Sequence, residues 1–217
     1  MSLHPPGSLA DLPPGLRLFP LEGALLLPRA AMPLNIFEPR YLAMVTDAMA
    51  TDQLVAMIQP RADTPSARPP LYDVGTVGRI TQYSETGDGR FLITLTGLVR
   101  FRVARELTVT SAYRQAEADY SPYLSDWSPA APLAAAARAD LESTLRQFLD
   151  TQDLSADWDA VRSADDESLV NTLCAVCPFA TAERQALLEA PTLADRTSTL
   201  TTLMRFARSE GEDDTLQ

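Results

Sequence analysis

The sequence contains no lysine, and this absence excludes several kinds of active site. All 18 of its basic side chains are arginine. A phosphate-binding loop of the Walker type, a Schiff base, a pyridoxal phosphate site and a Ser-Lys dyad all depend on a lysine amine. None of these lysine-dependent chemistries is therefore available to this chain.

Histidine is nearly absent as well, since His4 is the only one and lies in a Pro- and Gly-rich N-terminal stretch. Termini are seldom held against the body of a protein, which disfavours a Ser-His or Cys-His nucleophile and a histidine-based metal site. We accordingly expect that the protein is not an enzyme. We also expect no catalytic residue, no metal and no cofactor.

Long apolar runs are missing too. No uninterrupted stretch reaches the roughly 18 apolar residues that indicate a membrane-spanning helix. The first fifteen residues have neither the basic start nor the apolar centre of a secretory signal. We expect a cytoplasmic protein that makes no membrane contact.

Positive charge is scarce, because 29 acidic residues against 18 arginines give a net charge of −11. Nucleic-acid affinity depends on clustered cations, so binding of RNA or DNA is disfavoured. Three arginines lie on predicted strands: Arg79, Arg100 and Arg102. They either occupy ordinary surface positions or form an anion-binding patch. We expect all three at the surface.

The strongest pattern that is present runs from Asp73 to Val103. Apolar and polar residues alternate there with the period of a strand, and the GDG sequence at 87–89 indicates a hairpin turn. Gly97 interrupts the alternation, which predicts a three-stranded meander with one buried face. In its middle strand Phe91, Ile93 and Leu95 are expected on one face. In its last strand the same holds for Val99, Phe101 and Val103.

Prolines shape the segment before this meander. Pro20, Pro28 and Pro33 interrupt the apolar runs of residues 16–37, which predicts short, irregular, barrel-like strands. A helix is predicted from Glu38-Pro39 to about Ala50, with Tyr41, Met44, Val45 and Ala48 on its inner face. The apolar run at 54–59 predicts a buried strand.

A change of composition at residues 121–132, rich in proline and serine, predicts a domain boundary. Apolar residues recur at helical spacing beyond it, as in Leu169, Leu173, Val176 and Cys177. The expected organisation is a flexible tail (1–15), a β-rich domain (16–120), a linker (121–132), a helical domain (133–208) and an acidic tail (209–217).

Cys174 and Cys177 form a CxxC sequence, which raises the question of zinc or redox chemistry. Zinc needs two further ligands that the sequence does not offer, unless a second subunit provides them. A thioredoxin-like pair begins a helix, whereas this pair ends one before Pro178. We expect both to be reduced thiols packed among apolar side chains.

Several stretches together resemble the N-terminal, substrate-binding domain of Lon proteases. They are FPLEGALLLPRAAMPLNIFEPRY (19–41), DVGTVGRI (73–80), the GDGR turn with its strand (87–96), TGLVRFRV (96–103) and the helices of 168–205. The resemblance covers residues 16–208. A similar domain with a docking role occurs in cereblon, whose four-cysteine zinc site has no counterpart here.

The resemblance implies an α+β protein, with a PUA-like β-rich pseudo-barrel followed by an all-α helical bundle. It implies a non-catalytic protein that binds unfolded or tagged polypeptides, or an adaptor that docks a separate protease. Full-length Lon proteases continue into an ATPase and a protease module, and we expect this chain to have neither.

The best candidates for polypeptide binding lie in the Met- and aromatic-rich segment around residues 32–49. Flexible and aromatic side chains suit promiscuous binding surfaces. We predict that Leu34, Phe37 and Tyr41 form part of a polypeptide-binding groove. Two alternatives stay open: a small hydrolase that uses carboxylates in a cleft between the domains, and an RNA-binding PUA-like module. Pairs such as Glu22 with Glu38, or Asp73 with Glu85, are candidates for the former.

Overall fold

The structure is a computed structural model that describes residues 8–61 and 68–214, with side chains described as far as Ala207. Contacts divide the chain into two compact units, Met1–Pro129 and Ala130–Gln217. His4 and all the side chains of the predicted acidic tail lie outside the described part. The predicted domain boundaries remain predictions.

The first unit is built on one six-stranded sheet. Its strands are β1 (Gly15–Pro20), β2 (Ala31–Ile36), β3 (Leu54–Pro60), β4 (Leu71–Glu85), β5 (Phe91–Glu106) and β6 (Gln115–Asp119). Helix α1 (Pro39–Met49) lies between β2 and β3, and short 3-10 helices occupy Leu9–Asp11 and Ser121–Trp127.

The strand order is β2-β5-β4-β3-β1-β6, and β5 also pairs with β6. This second pairing closes five of the strands into a ring, which leaves β2 beside the first half of β5. The β1 and β3 strands are parallel, and the other neighbouring pairs are antiparallel. The α+β prediction is thus confirmed.

Helix α1 forms where the sequence predicts it. Glu38 is its N-cap, and Pro39 occupies the first turn, where its missing N–H does no harm. The four residues on its inner face, Tyr41, Met44, Val45 and Ala48, are all buried. They join β-strand side chains in one hydrophobic core, which includes Phe19, Val55, Met57, Ile80, Ile93 and Leu95.

The predicted break at Gly97 is wrong, because β5 continues through it as one strand of 16 residues. Val77 pairs with Val99 and Gly78 with Gly97, so Leu98 is the extra residue of a β-bulge. Glycine is required there because a Cβ atom on Gly97 would overlap the carbonyl oxygen of Leu27. Arg29 N–H donates to the Gly97 carbonyl at 2.8 Å, and Gly97 N–H donates to the Ala30 carbonyl at 2.9 Å.

The expected surface position of Arg100 is also wrong, since its side chain is only 2% exposed. Its Nε and Nη2 atoms donate to the Asp126 carboxylate, both at 2.8 Å, and its guanidinium lies 4.6 Å from the centre of the Tyr123 ring. Asp126 and Tyr123 belong to the 3-10 helix Ser121–Trp127, which covers this side of β5. The candidate anion patch of strand arginines therefore loses one of its three members.

The second unit is helical. Its helices are α2 (Ala135–Thr151), α3 (Trp158–Ser163), α4 (Asp166–Val176), α5 (Thr181–Glu189) and α6 (Leu193–Asp214), and α6 contacts α2, α4 and α5. The predicted inward positions Leu169, Leu173 and Cys177 are buried, but Val176 is exposed. Pro178 follows the end of α4 closely, and the last turn of this helix packs through Cys174 and Cys177, not through Val176.

Candidate functional site

The first candidate site is a groove on the sheet of the first unit, which we call the β2 groove. Three strands contribute three residues each, and the groove has a volume of about 460 Å³. The nine residues are Pro33, Leu34 and Asn35 from β2, Gln82, Tyr83 and Ser84 from β4, and Leu92, Ile93 and Thr94 from β5. All nine side chains are uncharged.

These residues form three consecutive rungs of the sheet. Leu34, Ile93 and Tyr83 stand directly opposite one another in the middle rung. The two flanking rungs are Pro33, Thr94 and Gln82 on one side and Asn35, Leu92 and Ser84 on the other. Because side chains alternate between faces along a strand, the two flanking rungs share a face. In the middle rung Ile93 is buried in the core and Leu34 packs against it, whereas Tyr83 is exposed.

The face of the flanking rungs combines one large apolar group with neutral polar groups. Leu92 is 48% exposed. The Thr94 hydroxyl donates to the Gln82 amide oxygen at 2.8 Å. A surface of this kind can cover an apolar side chain and bond to backbone amides of a ligand without selecting its charge.

The outer edge of β2 is not well suited to an added strand. Hydrogen bonding to β5 alternates from one residue to the next along this edge. Ala30 bonds towards β5, since its carbonyl accepts from Gly97 N–H, so the backbone of Pro33, three residues later, faces away from β5. Proline has no N–H to offer at that edge. A polypeptide in the β2 groove would therefore be held by side-chain contacts more than by a continuous ladder of hydrogen bonds.

A second concave site, the arginine cavity, has a volume of about 580 Å³. Pro20 and Pro60, the last residues of the parallel strands β1 and β3, lie at its wall. Three of its lining residues are charged, and all three are arginines: Arg40, Arg68 and Arg114. None of its lining residues belongs to the β2 groove.

The three residues predicted to bind polypeptide occupy different surroundings. Leu34 lines the β2 groove, and Tyr41 is buried in the core with its edge at the arginine cavity. Phe37 is 64% exposed and lines neither of the two cavities. Their shared role in one groove remains a prediction.

Sequence reasoning missed the β4 side of the β2 groove. Gln82, Tyr83 and Ser84 follow the apolar part of β4, and nothing in their residue types marks them as binding residues. The signal that could have found them is the hairpin itself, since the turn after Glu85 pairs this segment with Leu92, Ile93 and Thr94.

Carboxylate catalysis gains no support from the described residues. Glu22, Asp73 and Glu85 are exposed, and Asp126, the buried carboxylate of the described part, is bound to Arg100. In the same residues no cluster of three or more His, Cys, Asp or Glu side chains could hold a metal ion. No helix there is both long and apolar enough to cross a membrane.

The CxxC cysteines pack as predicted, since Cys174 and Cys177 are free thiols and buried. Burial raises the pKa of Cys174 to about 12 and that of Cys177 to about 11. Arg184 donates to the carbonyl oxygens of Ala175, Cys177 and Phe179 and so fixes the turn that follows α4.

We therefore expect the thiols to be unreactive in the native protein. Raised pKa values reduce the thiolate fraction at pH 8 below that of the unfolded chain, and burial restricts access to the sulfur atoms. Ellman's reagent at pH 8 should react at least about 100-fold more slowly with native protein than with protein unfolded in urea. Rapid native reaction of one thiol per chain would contradict this assignment.

Comparison with known proteins finds one family profile and several Lon proteases that match this chain. A family profile described as the ATP-dependent protease La (LON) substrate-binding domain matches residues 15–205. Lon protease 2 of Myxococcus xanthus is 31% identical over 123 residues, which make up 54% of this chain and 15% of that protein. Lon protease 2 of Syntrophobacter fumaroxidans is 26% identical over 184 residues, 83% of this chain and 23% of that protein. The chain spans less than a quarter of the length of either relative.

Two solved structures share the fold. The Lon N-terminal domain protein from Xanthomonas campestris superposes with a TM-score of 0.62 at 23% identity, covering 87% of this chain and 97% of that one. The N-terminal domain of the Mycobacterium avium complex Lon protease gives 0.60 at 16% identity, covering 88% and 98%.

Proposed function

Because this chain belongs to the family of ATP-dependent protease La (LON) substrate-binding domains, we propose that it binds polypeptide segments without catalysing a reaction on them. The family match extends over residues 15–205 and supports protein substrates as the general kind of partner. The complete absence of lysine supports the lack of ATPase and Ser-Lys protease chemistry within this chain.

In this proposal the β2 groove is the contact surface for the polypeptide. The observation that carries the assignment is the exposed Leu92 side chain in a groove whose nine lining residues carry no charge. In a chain with 22% charged residues, such a surface is unusual and suits segments that expose apolar side chains. Unfolded or tagged polypeptides expose such segments, whereas folded proteins bury most of them.

The proposal extends to an adaptor role, in which the protein holds a polypeptide for a separate protease. The profile that matches residues 15–205 is that of a substrate-binding domain, which supports the holding step of this role. We also propose a cytoplasmic location. The free thiols of Cys174 and Cys177 suit a reducing compartment.

The test is a single substitution in the β2 groove. Leu92→Asp places a negative charge on the exposed face of β5 and should weaken binding of fluorescein-labelled casein at least about tenfold, because an apolar contact is replaced by a charge that must be desolvated. Fluorescence anisotropy measures the dissociation constant. Thermal melting should remain close to that of the wild type, since Leu92 is half-exposed.

Leu154→Asp is the matched control, because Leu154 is similarly exposed but lies in the second unit, outside the groove. This variant carries the same change of charge and should bind casein within about twofold of the wild type. Unchanged casein binding by a folded Leu92→Asp protein would refute the assignment of the groove.

A further inference from the structure

The arginine cavity has a composition that contrasts with the chain as a whole. Acidic residues outnumber basic ones by 29 to 18 in the sequence, yet within residues 8–61 and 68–214 the charged residues that line this cavity are three arginines and no carboxylate. They come from separate segments, because Arg40 lies in the first turn of α1, Arg68 precedes β4 and Arg114 precedes β6. The fold therefore gathers guanidinium groups at one place.

The carboxylates that neutralise these arginines stand outside the cavity lining. Glu106 accepts hydrogen bonds from Nε of Arg114 at 3.1 Å and from Nη2 of Arg68 at 2.8 Å, and also from Nη2 of Arg114. These hydrogen bonds outweigh the loss of hydration and hold the pKa of Glu106 below its ordinary value. One carboxylate thus serves two guanidinium groups.

Arg114 is fixed in place, whereas Arg40 is adjustable. Besides its bonds to Glu106, Arg114 donates to the Pro69 carbonyl at 2.7 Å, and its side chain is largely buried. Arg40 is 47% exposed and pairs with Glu38 at 2.8 Å on the surface. Surface ion pairs are worth little in free energy, so an incoming anion can compete for Arg40.

Apart from Thr108 and Ser111, the rest of the cavity wall is apolar or aromatic. Pro20, Pro60, Leu107 and Val109 line it, and the Tyr41 ring lies 4.5 Å from the guanidinium carbon of Arg40. A volume of about 580 Å³ falls within the range of about 300–1,000 Å³ that is typical of ligand sites. The wall therefore suits a ligand that carries an anionic group next to an apolar body.

We propose that the arginine cavity binds the C-terminal carboxylate of a polypeptide whose last side chain is apolar. Guanidinium groups bind carboxylates through paired hydrogen bonds, and a chain end presents one carboxylate beside one side chain. This inference rests on the proposed polypeptide-binding function and adds a second, end-specific contact to it.

Two peptides that differ only in the C-terminal group test the inference. A short peptide labelled with fluorescein at its N-terminus and ending in leucine is prepared with a free carboxylate and as the C-terminal amide. Anisotropy titrations with the full chain should show at least about tenfold tighter binding of the free acid, because the amide has no charge for the guanidinium groups to pair with. Equal binding of acid and amide would overturn the inference.

Arg40→Gln is the variant of choice, because Arg40 is exposed, while Arg114 also holds the Pro69 carbonyl and a change there could unfold the cavity wall. This variant should lose most of the preference for the acid and keep its affinity for the amide. Arg90→Gln is the control. Arg90 is also about half-exposed and also pairs with a carboxylate two residues earlier, Asp88, but it does not line the cavity. An acid preference unchanged in a folded Arg40→Gln protein would also overturn the inference.

Competition separates the possible anions, and the groove variant separates the two proposals. N-acetylleucine should displace the acid peptide at lower concentration than inorganic phosphate does, and the reverse order would overturn the choice of a carboxylate. Leu92→Asp should weaken both peptides equally. If acid and amide bind the wild type equally and Leu92→Asp weakens both, the proposed function stands and the cavity inference fails. If neither peptide binds while casein does, the inference fails as well.

Discussion

Replacing Asp126 by alanine should lower the free energy of unfolding by about 3–5 kcal/mol. The substitution leaves the guanidinium of Arg100, which is 2% exposed, inside the first unit without its carboxylate. The Arg100 backbone N–H also loses its acceptor, since it donates to Asp126 Oδ2 at 3.0 Å. Urea denaturation followed by circular dichroism measures the loss. Asp88→Ala removes an exposed pairing with Arg90 and should leave the midpoint of the urea denaturation close to that of the wild type.

A double variant distinguishes the unpaired charge from lost packing. Arg100→Met combined with Asp126→Leu removes both charges and leaves apolar side chains in their place, so it should be clearly more stable than Asp126→Ala alone. A double variant as unstable as the single one would mean that the hydrogen-bond geometry of this pair, and not charge compensation, holds the 3-10 helix Ser121–Trp127 against β5.

Leu95→Asp should abolish the native fold of the first unit. Leu95 is fully buried in the hydrophobic core, and an unpaired carboxylate there costs several kcal/mol against a total stability of about 5–15 kcal/mol. Near-ultraviolet circular dichroism and thermal melting report the loss of packing.

Leu92→Asp is the internal control for this experiment, because it makes the same change three residues earlier in β5 on the exposed face. The two variants differ only in the face of β5 that carries the substituted residue. Cooperative melting of Leu95→Asp at the wild-type temperature would contradict the position of Leu95 in the core.

Local patterns predicted the elements whose partners lie close in sequence. Helix α1 is the clearest case, since the cap, the proline of the first turn and the helical spacing from Tyr41 to Ala48 all act within eleven residues. The buried strand β3 follows in the same way from an unbroken apolar run. In both cases hydrophobic periodicity and backbone chemistry agree, so tertiary context had little to override.

Arg100 and Gly97 show why other features could not be predicted. Alternation correctly separates Arg100 from Val99 and Phe101, but it cannot reveal that this second face is covered by a helix 26 residues away in sequence. Gly97 looks like a strand end because glycine often ends strands. Its actual role depends on the close approach of Leu27, which no local pattern encodes.

The β2 groove was half predictable for the same reason. Leu34 lies in a segment whose composition suggested binding, whereas the β4 residues enter the groove through strand register, which the bulges of the β4–β5 pair shift. Phe37 and Tyr41 lie in different surroundings because the chain turns from strand to helix at Glu38. This turn directs Tyr41 inwards and leaves Phe37 exposed.

The position of β2 gives the groove one adjustable wall. β5 is held by β4 along most of its length, while β2 pairs with β5 over six residues and is fixed at one end by the bonds between Gly97 and residues 29–30. Separating β2 from β5 breaks one ladder and leaves the other strands of the sheet joined, so this local opening requires less free energy than global unfolding. If the groove binds polypeptides as proposed, it can thus widen for segments of different bulk while β4 and β5 stay in place.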